Sequence, residues 1–104
     1  MSERRVVITG MGALTPIGNN LKDYWDSLVK GVSGAENITY FDASNFKTKF
    51  ACEVKEFDAK KYFHPKEARK IDRFSQYALV VAEEAIKNSK INLLEVNSQR
   101  AGVI

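Results

Sequence analysis

The chain has 104 residues, 44% of them hydrophobic and 28% charged, a balance that excludes intrinsic disorder and fits one small globular domain with a single core. Its net charge of +3 is too slight to point to nucleic acid, and no apolar run is long enough to cross a bilayer. The run Val6-Val7-Ile8 stops at Gly10, too short for a secretory signal, and the single cysteine, Cys52, excludes an intramolecular disulfide, so a reducing cytoplasm is the expected setting.

Residues 4–10 are short and rich in β-branched side chains, and Gly10-Met11-Gly12 follows at once. That pattern predicts a buried strand ending in a glycine turn. Thr15-Pro16-Ile17-Gly18-Asn19 reads as a loop. Asn20 is a good helix N-cap, and Leu21, Tyr24, Trp25, Leu28 and Val29 recur at the three-and-four spacing of one helix face. Gly31 suits the left-handed close of that helix, predicted near 20–31, with the Trp25 stripe packed in the core.

Residues 32–48 have no steady period and read as a surface segment pinned by Ile38, Tyr40, Phe41 and Phe46. Phe50, Cys52 and Val54 alternate with Ala51, Glu53 and Lys55, predicting a half-buried strand near 49–56. Asp58 suits the cap of a short helical turn, and Pro65 suits the start of a longer helix near 65–89. The apolar stripe Ile71, Phe74, Ala78, Val81, Ala82, Ala85 and Ile86 fits either one continuous helix or two with a break near Asp72. Ala101-Gly102-Val103-Ile104 reads as the opening of another buried strand at 101–104. An apolar strand at a chain end would set a carboxylate beside the core, so residues 1–104 are expected to be the first part of a longer chain.

A strand followed by Gly10-Met11-Gly12 invites a dinucleotide-binding reading, with glycines admitting a pyrophosphate at a helix N-terminus. The fingerprint needs a third glycine where Thr15 stands, and the helix begins too late to present its amides. A structural corner is the better reading, and a nucleotide-dependent oxidoreductase is disfavoured.

The stretch Arg5-Val6-Val7-Ile8-Thr9-Gly10-Met11-Gly12-Ala13-Leu14-Thr15-Pro16-Ile17-Gly18-Asn19 closely resembles the opening of the β-ketoacyl synthases. Three further segments agree in order: Trp25-Asp26-Ser27-Leu28 with Gly31 through Gly34, Phe41-Asp42 through Phe50-Ala51, and Lys66-Glu67-Ala68-Arg69-Lys70-Ile71-Asp72-Arg73-Phe74. The Phe-Asp segment and the basic helix look more like type II than type I enzymes. The resemblance implies an α/β thiolase-like fold, of which these residues supply the first strands and helices of the N-terminal half. It also implies decarboxylative condensation of acyl groups with malonyl-acyl carrier protein, in a cytoplasmic homodimer without organic cofactor, metal, nucleic acid or membrane. The family's nucleophilic cysteine and two histidines fall beyond position 104, so residues 1–104 are expected to hold no catalytic residue. A ketosynthase of a polyketide pathway is the nearest alternative.

Several chemically capable residues have plainer readings. Cys52 lies on the apolar face of a predicted strand and reads as a small buried hydrophobe. His64, the only histidine, reads as a cap or surface residue, and Glu83 and Glu84 as solvated surface charge. The basic cluster is different. Lys60, Lys61, Lys66, Arg69, Lys70 and Arg73 are opposed nearby only by Glu67 and Asp72, and several share one side of a helix. Such a face attracts an acidic partner over a distance that salt shortens. Acyl carrier proteins are strongly acidic, and in the family a Lys-x-x-Arg-Lys set at this place docks the carrier, which assigns docking to Lys66, Arg69 and Lys70. Arg73 belongs to the adjoining Asp-Arg-Phe and reads as structural. The rival from another class is a freestanding basic module that binds an acidic protein or nucleic acid.

Overall fold

A computed structural model describes residues 2–104, and its elements follow local chemistry closely where that chemistry is local. Helix α1 covers Leu21–Lys30. Asn20 Oδ1 accepts from the Asp23 amide at 2.8 Å, supplying one of the partners that a first helical turn lacks. Gly31 closes the helix at φ 70°, where its amide donates to Leu28 O at 3.2 Å and the Val32 amide donates to Ser27 O at 2.9 Å. That pair of bonds is a Schellman closure, which needs a residue at ease in the left-handed region. Before the helix, Thr15 and Gly18 exchange backbone hydrogen bonds of 2.8 and 3.2 Å around Pro16-Ile17, so the proline sits where its fixed φ favours a tight turn.

Strands β1 (Glu36–Asn37) and β2 (Phe50–Ala51) pair antiparallel, with Glu36 opposite Ala51 and Asn37 opposite Phe50. The strand expected over 49–56 is therefore cut to two residues. Beyond Ala51 the backbone is fastened by side chains instead: Asn19 Nδ2 donates to Lys55 O at 2.7 Å, and Lys55 Nζ donates to Pro16 O and Gly34 O at 3.1 and 3.0 Å. The strands expected at 4–10 and 101–104 do not form; both segments are extended or irregular, with Val6 and Ile8 at 95% and 84% exposure. A strand exists only through a ladder partner, and the described residues offer these two segments none.

Helix α2 (Pro65–Ala68) and helix α3 (Arg73–Ser89) resolve the ambiguity over 65–89 in favour of a break. Asp72 holds an extended backbone at φ −68°, ψ 158°, between them. A 3-10 turn, Ala59–Lys61, precedes α2, capped by Asp58 as its position suggests. Phe57 joins this region to α3, stacking on Tyr62 with ring centroids 5.6 Å apart and meeting Tyr77 edge-on at 4.9 Å.

The glycine turn lies flat on α3. A Cβ at Gly10 would stand 2.3 Å from Ala85 O, and one at Gly12 would stand 2.2 Å from Val81 O. These glycines admit a helix backbone rather than a phosphate, so the structural-corner reading holds.

The core is slight. Among the described residues only Ala43 and Val80 are buried hydrophobics, and the radius of gyration is 17.8 Å, against about 13 Å for a compact domain of this length. The stripe of α1 is largely open, with Trp25 at 61% and Val29 at 69% exposure, so Trp25 is not the core residue its spacing suggests. A freestanding module would need a closed core, and this arrangement weighs against that reading.

Candidate functional site

The basic residues gather on and around the shortest α-helix among the described residues, α2, and the 3-10 turn before it. His64 caps α2, its Nδ1 accepting from the Lys66 amide at 3.2 Å, and Pro65 occupies the first turn where a missing amide costs nothing. His64 thus fills the capping role its position suggests. The helical course runs on through Arg69 (φ −72°, ψ −19°), whose amide donates to Pro65 O at 3.3 Å, and the Lys70 amide donates to Glu67 O at 3.0 Å. Lys66, Arg69 and Lys70 are consequently spaced by three and four positions along one turn and present a common face.

All three are exposed, as are Lys60 and Lys61 on the preceding 3-10 turn. Among the described residues the salt bridges join Lys22 to Asp26, Lys55 to Glu36 and Lys87 to Glu83, so none draws on this cluster. An unpaired group of exposed cations keeps its field for an external anion, and salt screens that field within about 8 Å at physiological ionic strength.

Arg73 stands apart from them. Its guanidinium lies 5.4 Å from the centre of the Tyr40 ring, and Nη1 donates to Tyr40 Oη at 3.4 Å. Tyr40 Oη in turn donates to Val54 O at 2.8 Å. The Tyr77 hydroxyl, and then that of Tyr40, hold Arg73 more firmly in its charged form, while burial pushes the Tyr77 phenol above its ordinary value. Arg73 ties the start of α3 to the segments around Tyr40 and Val54, the structural role its motif suggests.

Two expectations need correction. Cys52 is exposed rather than buried, because the face it shares with Phe50 (63% exposed) has nothing packed on it among the described residues. Glu83 and Glu84 are not alike. Glu83 is surface charge, paired with Lys87 at 2.8 Å. Glu84 is half-buried and bridges two loops: Oε2 accepts from the Ala13 amide at 3.0 Å and Oε1 from the Leu21 amide at 2.6 Å. It thereby binds the glycine corner and the first turn of α1 to α3, while Asn88 Oδ1 accepts from the Met11 amide at 3.1 Å one turn further on.

No group of three His, Cys, Asp or Glu side chains able to hold a metal occurs among the described residues, and no helix there is long and apolar enough to cross a membrane. Neither Cys52 nor His64 is hydrogen-bonded to a partner that would make a nucleophile and base pair, since the one side-chain bond of His64 is its cap.

Residues 3–104 match the family described as beta-ketoacyl synthase, N-terminal domain. The 3-oxoacyl-[acyl-carrier-protein] synthase 2 of Vibrio harveyi is 48% identical over 103 residues, which are 99% of this chain and 25% of that protein. Among solved structures, the ishigamide ketosynthase/chain length factor superposes with a TM-score of 0.81 at 34% identity, covering 91% of this chain and 24% of that one. A type II PKS acyl-carrier protein in complex with its ketosynthase bound to the hexaketide gives a TM-score of 0.65 at 31% identity, covering 88% of this chain and 23% of that one. The backbone is thus that of a ketosynthase N-terminal domain, the thiolase-like fold that the opening motif implies. The chain spans about a quarter of the length of the curated relatives it matches.

Proposed function

The chain belongs to the β-ketoacyl synthase family, as its N-terminal domain, and on that premise we propose that it is the opening part of a type II condensing enzyme of fatty acid elongation. The observation that carries this reading is the match along 99% of the chain to a 3-oxoacyl-[acyl-carrier-protein] synthase 2 at 48% identity. The enzyme joins an acyl group to the malonyl unit of malonyl-acyl carrier protein. Carbon dioxide leaves, the new carbon–carbon bond forms, and the carrier that delivered the acyl group departs as a free thiol. Residues 1–104 contribute scaffold and part of the carrier-docking surface, and the nucleophilic cysteine and two histidines come from the portion of the protein beyond them. The intact enzyme works in the cytoplasm as a homodimer without an organic cofactor.

Docking falls to Lys66, Arg69 and Lys70. Their shared face, exposure and freedom from ion pairs support the assignment, because an acidic carrier is drawn by charges that no neighbour has neutralised. Glu84, Lys55 and the glycine corner serve the scaffold.

A second reading, a ketosynthase of a polyketide pathway, draws support from the likeness to a ketosynthase solved with a type II PKS acyl-carrier protein. The substrate separates the two. An elongating enzyme takes a saturated acyl-carrier and stops at the 3-oxo product, whereas a polyketide enzyme takes its own 3-oxo product onward. The intact protein carrying residues 1–104 should therefore release carbon dioxide from malonyl-carrier with a saturated acyl-carrier and accumulate 3-oxoacyl-carrier. Residues 1–104 alone should release none; condensation by that segment by itself would overturn the assignment of the catalytic groups.

A further inference from the structure

The turn that carries Arg69 and Lys70 lacks a cap at the start of the next helix. Asp72 fills the N-cap position of α3 but makes no side-chain bond to it. Helix α2 has only four residues, too few to hold a shape through its own hydrogen bonds. Behind the turn lies Gln76, the one buried polar residue among those described, at 7% exposure. Its Nε2 donates to Ala68 O at 3.0 Å and to Ile71 O at 3.4 Å. Those carbonyls bracket Arg69 and Lys70 in sequence. Ala68 O is also among the last carbonyls of α2, which the helix itself leaves unpaired. One amide group therefore pins the chain immediately before and immediately after two of the three docking cations.

We propose that Gln76 is a positioning residue for carrier docking, holding the Arg69–Lys70 turn so that its charges meet the carrier in a fixed arrangement with Lys66. This rests on the docking reading above. Loss of the Nε2 donor leaves the half-buried Ala68 O without its protein partner and frees the turn, yet removes no charge. Association weakens because the cations lose their register, while the salt dependence, which follows the number of charges, stays as it was.

The test uses the intact protein with two forms of one acyl substrate, on its carrier protein and as a small pantetheine thioester, across a range of ionic strength. Gln76→Met keeps the length of the side chain and removes the donor. It should raise KM for the carrier-bound substrate about fivefold, the scale of one lost hydrogen bond, with kcat, the pantetheine KM and the salt slope unmoved. Gln76→Asn keeps the amide but falls one methylene short of Ala68 O; it carries the same expectation should Gln76→Met not fold. The combined Lys66→Glu, Arg69→Glu and Lys70→Glu protein is the reference and should change both KM and salt slope. A carrier KM unchanged in the Gln76 variants beside a raised one in the reference would overturn the positioning role and leave docking intact. An unchanged KM in the reference would overturn both.

Discussion

Glu83 and Glu84 are adjacent in sequence and identical in chemistry, yet replacing them should have very different consequences for stability. The Glu84 carboxylate accepts from two backbone amides, of Ala13 at 3.0 Å and Leu21 at 2.6 Å, each more than sixty positions away. Hydrogen bonds to a charged group contribute about 1.5–3 kcal/mol each. Two such bonds would contribute about 3–6 kcal/mol, but both amides here are only partly buried and water recovers some of that on removal, so Glu84→Ala should cost about 2–3 kcal/mol, at or just below the bottom of that range. Glu84→Gln retains one acceptor but turns its carboxamide NH2, a donor, towards the other backbone amide, and should cost about half as much. Glu83 meets Lys87 at 2.8 Å, with the two side chains 58% and 75% exposed. An exposed pair at this spacing contributes about 0.3–0.5 kcal/mol, so Glu83→Ala should be nearly silent. Urea denaturation of the intact protein and the three variants reads the difference as a shift in midpoint at constant slope. Equal midpoints for Glu83→Ala and Glu84→Ala would refute the reasoning, since they would mean that the two amides find equivalent partners in water.

Two further predictions rest on separate features. Gly12→Ala would set a Cβ 2.2 Å from Val81 O and 3.0 Å from Val81 C; lifting the corner off α3 should cost about 1–3 kcal/mol, whereas a midpoint unchanged in denaturant would contradict the close packing. Glu53 accepts from Thr39 Oγ1 at 2.7 Å and from the Thr39 and Tyr40 amides, and the Thr39 hydroxyl foremost holds its carboxyl below the usual glutamate range. A carboxyl lowered on folding adds stability that is present above its unfolded value of about 4.3 and is lost as pH falls through the folded one. The advantage of the natural protein over Glu53→Gln should therefore be full at neutral pH and vanish in acid, and a difference that is the same at pH 3 and pH 7 would exclude this origin.

What could be read from the sequence was what is decided within a few residues. Helix α1 was legible because its cap, its apolar spacing and its closing glycine all lie between Asn20 and Gly31. The capping by His64 and Asp58 was legible for the same reason. The basic face was visible as spacing alone, and its freedom from ion pairs followed only from the folded arrangement. The break between α2 and α3 stayed open because the apolar stripe runs on past Asp72, and the bond by which Gln76 reaches back eight positions to Ala68 O across the break has no local preference that announces it. Glu84 was misread because its partners lie 63 and 71 positions away, beyond any periodicity. The runs at 4–10 and 101–104 have strand composition but no ladder partner among the described residues, and the open faces of Trp25 and Cys52 have nothing packed on them. Composition states what a segment favours; a sheet or a core needs the second surface as well.

Docking of an acyl carrier on Lys66, Arg69 and Lys70 of the condensing enzyme, the proposal at the centre of this account, is tested most directly by reversing that face. With Lys66, Arg69 and Lys70 all changed to Glu in the intact protein, KM for the carrier-bound substrate should rise at least about tenfold at low salt. The gap from the natural protein should narrow as ionic strength passes about 0.15 M and the Debye length falls to about 8 Å, while turnover of a pantetheine thioester persists. A carrier KM that is unchanged at low salt would contradict the account and return Lys66, Arg69 and Lys70 to ordinary solvated charge.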